Sequence, residues 1–286
     1  MRALAEFIMR GRMQAALVAL VGSLVPLLSP AAVSLVALSR GVKDGLLVML
    51  WGLLPLVIAY YGSGINPIIT QASMAGLIVV LVSSETLRLT VSWQNTLTVV
   101  LLLSSLSVLL LNMLFGSSVD ALEQTVADMF SQLQQQAGTN ELAFKPGRAF
   151  LLGVIAYVVA LTTVISLVLG RWWQAMLYNP GGFREEFHRL RFDSRVGIAL
   201  LAGVAVCYLS PDEYASWAGL VGLPLLLGGI ALIHHTVAVY QIGAHWLAIF
   251  YVGLLMIGPL SLILVGLGFL DSILNIRSRM TKGSNQ

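Results

Sequence analysis

The sequence predicts an all-α fold, a polytopic bundle of transmembrane helices with about eight spans. Hydrophobic residues make up 58% of the 286 residues, charged residues make up 10%, and the mean hydropathy is +0.88. A soluble domain carries about 25% charged residues. Every Lys, Arg, Asp and Glu falls in one of seven intervals: 2–12, 40–44, 85–88, 120–148, 171–195, 212–213 and 271–282. The apolar stretches between them approach the roughly 20 residues that cross hydrocarbon as a helix.

The apolar stretches define the predicted spans in order. They are residues 13–39, 45–61, 66–84, 93–115, 148–170, 196–210, 215–240 and 246–270. Pro26 and Pro30 interrupt helical hydrogen bonding, so residues 13–39 form either one kinked span or a short helical hairpin. We expect a single integral membrane domain over residues 1–286.

Three polar segments separate or follow the spans. Residues 116–146 carry an apolar stripe at helical spacing, from Val119 to Leu133, and are predicted to form an extramembrane amphipathic helix, either a lid or an ordinary connector. Residues 171–195 contain five arginines, with Trp172, Trp173 and Tyr178 suited to a membrane interface. Residues 271–286 form a polar tail.

The charge distribution predicts an orientation in a bacterial inner membrane. Basic loops favour the cytoplasm, which assigns the N-terminus, residues 40–44, residues 171–195 and the C-terminal tail to that side. The acidic segment 116–146 and residues 212–213 then face outside. This arrangement requires residues 13–39 to enter and leave the membrane on the same side. The tail faces the cytoplasm only if residues 215–270 cross the membrane an odd number of times, whereas two spans there would place it outside. The net charge of +3 follows from the same rule, so the lipid bilayer is the expected partner and nucleic acid is not.

The sequence lacks the residues and motifs that are typical of several classes of activity. No ionisable residue stands at the centre of a predicted span, which argues against an ion pump or antiporter. The phosphate-binding GxxxxGK[ST], HExxH and GxSxG motifs are absent. We therefore expect no enzyme, no catalytic residue, no metal and no cofactor.

Histidines near the C-terminal spans are the candidate ligand-binding residues. His234, Gln241 and His245 share one stripe if the helix runs unbroken, with His235 beside it. The stripe lines a ligand pocket, or its members form hydrogen bonds between helices and at the interface. The spacing is too long for metal ligation within one helix.

Small residues on the first span suggest a docking stripe. Ala15 and Ala19 are four residues apart, and Ser23 continues the row. Such stripes let another helix approach closely.

The chain resembles the YybS-like predicted membrane proteins of bacteria, a family without an established function. The resemblance rests on Pro26, Pro30, Arg40-Gly41, residues 171–191, Gly229–His234, Gly268–Asp271 and Arg277. That family is distantly similar to the substrate-capture subunits of energy-coupling-factor transporters, in which an Ala-x-x-x-Ala pair docks the membrane coupling subunit. The resemblance implies this role for Ala15 and Ala19.

Two functions are favoured over a third, that of a membrane enzyme or haem protein. One is a transport-related subunit that binds a small, mostly apolar or aromatic molecule and works with a membrane coupling protein. The alternative is a structural or scaffolding membrane protein that recruits other proteins through residues 116–146 or through Arg184, Arg189 and Arg191.

Overall fold

The computed structural model describes residues 1–25, 27–62, 67–137, 146–243 and 245–283, which form helices and connecting turns without any strand. The helices are α1 (Arg2–Arg10), α2 (Arg12–Gly22), α3 (Leu28–Arg40), α4 (Val42–Gly62), α5 (Pro67–Thr90), α6 (Trp93–Leu114), α7 (Gly116–Ala137), α8 (Arg148–Tyr178), α9 (Gly182–His188), α10 (Ser194–Leu209), α11 (Ala215–Val239), α12 (His245–Met256), α13 (Pro259–Leu274) and α14 (Ile276–Gly283).

Among the described residues, five helical segments are long and apolar enough to cross a membrane. They are Val42–Gly62, Pro67–Thr90, Trp93–Leu114, Arg148–Tyr178 and Asp212–Val239. A sixth exists if the bent pair α12 and α13 counts as one span. The predicted all-α fold is confirmed for the described residues, with several helices that are long and apolar enough to cross a membrane, whereas the count of eight is not.

The chain divides into two compact units. Unit 1 contains Met1–Tyr178 and Cys207–Leu220, and unit 2 contains Asn179–Val206 and Val221–Gln286.

In unit 1, α2 and α3 form a hairpin whose two ends lie on the same side. The Arg40 guanidinium at the end of α3 donates to the Met9 carbonyl just before α2. Arg12 at the start of α2 pairs with Asp44 at the start of α4, at 2.7 Å. With 11 and 13 residues, the two helices are about 16 and 20 Å long, against about 30 Å of hydrocarbon. Residues 13–39 are therefore a half-depth helical hairpin and not one span.

Helix α3 is the centre of unit 1, because almost its whole surface is buried. Ser29 and every residue from 31 to 38 lie in the interior. Small side chains allow the close contacts: the Ser34 hydroxyl lies 3.0 Å from that of Ser84 on α5, and a Cβ added at Gly170 of α8 would lie 2.5 Å from the Ser34 oxygen. Helices with small residues approach closely in membranes.

Charge separates the two ends of unit 1. At the hairpin end, Arg12, Arg40 and Arg88 gather; a Cβ at Gly41 would lie 3.3 Å from the Arg88 guanidinium carbon. The Gln174 amide near the end of α8 donates to the Leu38 carbonyl at the same end, at 3.0 Å. We call this the basic end.

The opposite end of unit 1 carries most of its acidic groups, and we call it the acidic end. It holds Asp120 of α7, paired with Arg148 at the start of α8. Glu213 lies there too, because a Cβ at Gly147 would lie 3.2 Å from its carboxylate oxygen.

The predicted orientation depends on residues 13–39 beginning and ending on the same side. The contacts of Arg40 and Arg12 at the base of the hairpin agree with this condition.

Helix α7 lies at the acidic end and buries only its first half. Val119 is fully buried and Leu122 half-buried, whereas Met129 and Leu133 are more than half exposed. The predicted helical stripe forms, and Met129 and Leu133 in its second half stay exposed. Residues 138–145 of the predicted segment 116–146 lie outside the described residues.

Three local expectations differ from the structure of unit 1. Residues 171–178, predicted to follow the fifth span, continue α8 without a break. Trp173 is buried in the core and does not face an interface. Residues 2–10 form a separate helix, α1, which was not predicted; Ala5 and Ile8 anchor it through an apolar i, i+3 pair.

In unit 2, α11 and α13 cross with their backbones in contact. A Cβ at Gly229 would lie 2.2 Å from the Leu264 carbonyl oxygen, and one at Gly268 would lie 2.1 Å from that of Leu225. Only glycine fits either position, so these two residues fix the crossing point.

The predicted span over residues 246–270 is wrong as a continuous helix. It is broken between α12 and α13, whose axes are bent by 117°. Pro259 begins α13; its ring cannot donate a hydrogen bond and clashes with the preceding turn, which ends a helix.

The closeness of α8 and α3 predicts the effect of a single methyl group. Gly170→Ala should lower the free energy of unfolding by about 1–3 kcal/mol, because overpacking forces backbone shifts. Gly76→Ala on α5 is the matched control, since a Cβ there meets nothing within 4 Å. Thermal unfolding of both variants in detergent measures the difference; equal melting temperatures would contradict the tight crossing.

Candidate functional site

A cavity of about 380 Å³ lies at the tip of the α2–α3 hairpin in unit 1. Apolar side chains of α4, α5 and α8 form most of its wall, and Leu122 of α7 borders it on the acidic side. Four hydroxyl groups stand among the lining residues: Ser23, Ser29, Ser73 and Thr162. No charged residue of the described chain lines this hairpin cavity.

One polar atom in the described wall of the hairpin cavity has no hydrogen bond. The Ser29 hydroxyl is buried and has no hydrogen-bond partner among the described residues. Gly52 makes room for it, because a Cβ there would lie 2.6 Å from the Ser29 oxygen. A buried hydroxyl without a partner is costly, so Ser29 is the polar group of the described wall whose hydrogen-bonding capacity is unused.

Ala15 and Ala19 do not face a partner in this structure. Both are fully buried within unit 1, and the methyl of Ala19 lies 3.8 Å from the Cβ position of Gly52. The small-residue stripe therefore packs α2 against α4 instead of presenting a docking surface.

Unit 2 contains a second cavity, of about 460 Å³, which we call the histidine pocket. Its polar lining consists of Arg184 and His188 from α9, His234 from α11, and Gln241 from the turn after α11. Four aliphatic side chains complete the wall: Val237, Ala238, Ile242 and Leu247.

The polar groups of the histidine pocket are fixed by contacts within unit 2. His234 Nε2 lies 2.8 Å from the Tyr251 hydroxyl, and its ring packs edge-on against Phe187. Desolvation lowers the pKa of His188 to about 4, with further lowering from the charge of Arg184 and from His234, His235 and Arg277. His188 is therefore neutral at pH 7.

A buried ion pair lies behind the histidine pocket. Arg277 Nε donates to Asp271 Oδ2 at 2.9 Å, and the same guanidinium donates to the carbonyl oxygens of His188 and Gly228. Both side chains are at least 91% buried. The guanidinium therefore ties α14 to α9, α11 and α13. Within the predicted polar tail, residues 271–286, Asp271 and Arg277 are interior residues.

The structure brings two of the predicted ligand residues to one pocket. His234 and Gln241 line it together with Arg184, which was predicted to recruit a partner. The helix does not run unbroken through this stripe, because α11 ends at Val239. His235 lies behind, with its ring centroid 6.1 Å from that of His188.

Three other predicted site residues do not line the histidine pocket. His245 begins α12, and its ring lies beside that of Trp246, with the centroids 5.8 Å apart. Arg189 forms a loose exposed pair with Glu185 at 3.9 Å, and Arg191 follows α9.

His188 is the pocket residue that sequence reasoning missed. It follows Arg184 by four residues, so the two share one face of a helix, and this spacing was the available signal. The described residues contain no group of three or more His, Cys, Asp or Glu side chains placed to hold a metal ion.

The buried ion pair predicts unequal roles for two arginines. Arg277→Ala should destabilise the protein by about 3–5 kcal/mol, because it leaves Asp271 charged and buried. Arg189→Ala is the control, with an expected loss below about 1 kcal/mol for an exposed pair. Denaturant or thermal unfolding measures both; similar losses would show that the Asp271 contact is not interior.

The charge of Arg184 predicts a titration shift. In Arg184→Gln the pKa of His188 should rise above about 4 and stay below 6.5, because burial, its main cause, remains. NMR titration of ring-labelled histidines measures this, with His188→Gln to assign the signal. Arg189→Gln should leave the titration unchanged, and an unshifted His188 in Arg184→Gln would refute the proximity.

Comparison with protein-family models, curated proteins and solved structures gave no match. The resemblance to the YybS-like family stays a prediction that rests on the residues that carry it.

Proposed function

We propose that this chain is a membrane-embedded binding protein for a small, mostly apolar molecule, which occupies the hairpin cavity. The observation that carries the proposal is an uncharged cavity with one buried, unbonded hydroxyl. Small-molecule sites have volumes of about 300–1,000 Å³ and combine apolar walls with a few polar groups. A volume of about 380 Å³ with Ser29 at the hairpin tip fits this description.

Binding is a better account of the hairpin cavity than catalysis. General acid–base or nucleophilic chemistry needs a titratable or activated side chain at the reacting atoms. The described lining offers hydroxyl groups without a neighbouring base. The cavity is therefore suited to hold a molecule and not to transform it.

As part of the same proposal, the protein lies in a bacterial inner membrane with the basic end of unit 1 in the cytoplasm. The hairpin tip then reaches about halfway through the hydrocarbon from the cytoplasmic side. The hairpin cavity occupies the outer half, where Leu122 of α7 borders it. This placement suits capture of a molecule from outside, as a transport-related subunit requires, with a membrane coupling protein to complete the transport step.

Filling the cavity should abolish binding without unfolding the protein. Gly76 lines the cavity and a Cβ there meets nothing within 4 Å, so Gly76→Leu places a side chain in the empty space. Thermal-shift screening of the purified protein against a panel of vitamins and lipids should find a stabilising compound. Saturation at 100 times Kd corresponds to about 2.7 kcal/mol.

The matched control is Gly266→Leu on α13, where a Cβ also meets nothing within 4 Å. It should keep the ligand-induced shift that Gly76→Leu loses. A flat response across the panel, or an equal shift in all three proteins, would refute the proposal.

A scaffolding role is the second candidate, and α7 is the observation in its favour. Met129 and Leu133 leave the apolar stripe of this helix open. A flat ligand panel, together with a co-purifying protein that is lost in the Met129→Ser, Leu133→Ser double variant, would favour that role over ligand binding.

A further inference from the structure

We propose that the histidine pocket of unit 2 binds the phosphate group of a ligand, either an anionic lipid headgroup or a soluble phosphate monoester. This inference is independent of the hairpin cavity. It rests on the set of donors that converge on the pocket, on the absence of a carboxylate from its described lining, and on the aliphatic part of its wall.

The donor set begins with Arg184. Its guanidinium has five N–H donors in a planar fork that matches phosphate oxygens. Arg184 lines the pocket and forms no ion pair with any described residue. Its charge is therefore available to an anion.

Two neighbouring side chains add neutral donors. The Gln241 amide carries two N–H groups, and Gln241 lines the pocket from the turn after α11, where its φ is 52°. Neutral His188 contributes one ring N–H. When the Tyr251 hydroxyl donates to Nε2 of His234, the proton of that neutral ring sits on Nδ1 and makes a further donor.

The buried Arg277 guanidinium behind the pocket positions other groups and is not proposed to contact the ligand. Arg277 holds the carbonyl oxygen of His188, and its charge is balanced by Asp271 at 2.9 Å. It is a positioning residue that fixes the end of α9. Arg184 is thus the one uncompensated cation among the described lining residues.

The size and the walls of the pocket favour an esterified phosphate. A phosphate group presents several acceptor oxygens at once, which three or more converging donors can satisfy, whereas a carboxylate presents two. The remaining volume is bordered by Val237, Ile242 and Leu247. These side chains suit the carbon skeleton to which the phosphate is attached.

The experiment uses the full chain in a neutral detergent and two probes. Glycerol 1-phosphate is titrated against the protein by calorimetry, and retention of phosphatidylglycerol against phosphatidylcholine is measured by native mass spectrometry. Arg184→Gln should weaken binding of the recognised probe at least about tenfold, since hydrogen bonds to charged groups are the strong ones. Arg189→Gln, on the same segment but outside the pocket, should leave binding unchanged.

Each outcome either supports or overturns the proposal. Loss in Arg184→Gln alone supports the proposal; a response to glycerol 1-phosphate identifies a soluble ester, and selective retention of phosphatidylglycerol identifies a lipid headgroup. Absence of binding in both arms overturns it, as does equal loss in the two arginine variants. Gln241→Leu provides an independent check, because it removes donors without changing charge and should also weaken binding.

Discussion

The requirement that backbone polar groups be satisfied inside hydrocarbon governs the architecture of unit 1. A helix that stops halfway across the membrane leaves carbonyl and N–H groups at its tip, and lipid offers them no partner. The α2–α3 hairpin is such an element. It is tolerated because turn hydrogen bonds satisfy the backbone at its tip, where the N–H groups of Leu24 and Val25 donate to the carbonyl oxygens of Val21 and Gly22. Helices α4, α5 and α8 pack against α3, and the cavity lies beside the tip. The hairpin cavity is thus a direct result of the shortness of these two helices.

Close helix packing depends on residues with little or no side chain. Gly170 lies against Ser34 in unit 1, and Gly229 and Gly268 bring two backbones together in unit 2. Apolar surface gives no driving force between helices in lipid, so close van der Waals contact and hydrogen bonds provide the association energy. The same packing absorbs Ala15 and Ala19, which explains why a stripe with the spacing of a docking motif ends up inside the unit.

The sequence was sufficient for the fold class and for the longest helices, because a run of about 20 uncharged residues has few alternatives in a membrane. The α2–α3 hairpin and the break before Pro259 show the limit. Hydropathy cannot distinguish two half-depth helices from one span, and only the contacts of Arg40 and Arg12 at the hairpin base resolve it. Prolines stand at both places in the sequence, but the direction in which the chain continues after each break depends on tertiary packing.

Part of the histidine pocket was also predictable from the sequence. His234 and Gln241 stood out as polar residues near an apolar span, whereas their meeting with Arg184 and His188 depends on how α9 folds back within unit 2. The burial of Asp271 and Arg277 could not be read from composition, since a charged stretch after the last apolar segment is normally solvated.

The position of Arg277 along the chain also orders the assembly of unit 2. Its guanidinium bonds the His188 and Gly228 carbonyl oxygens and neutralises Asp271, yet it is synthesised after all of them. Until the ribosome has made residue 277, the buried Asp271 carboxylate lacks its charged partner. The native interior of unit 2 therefore closes only after α14 has been made.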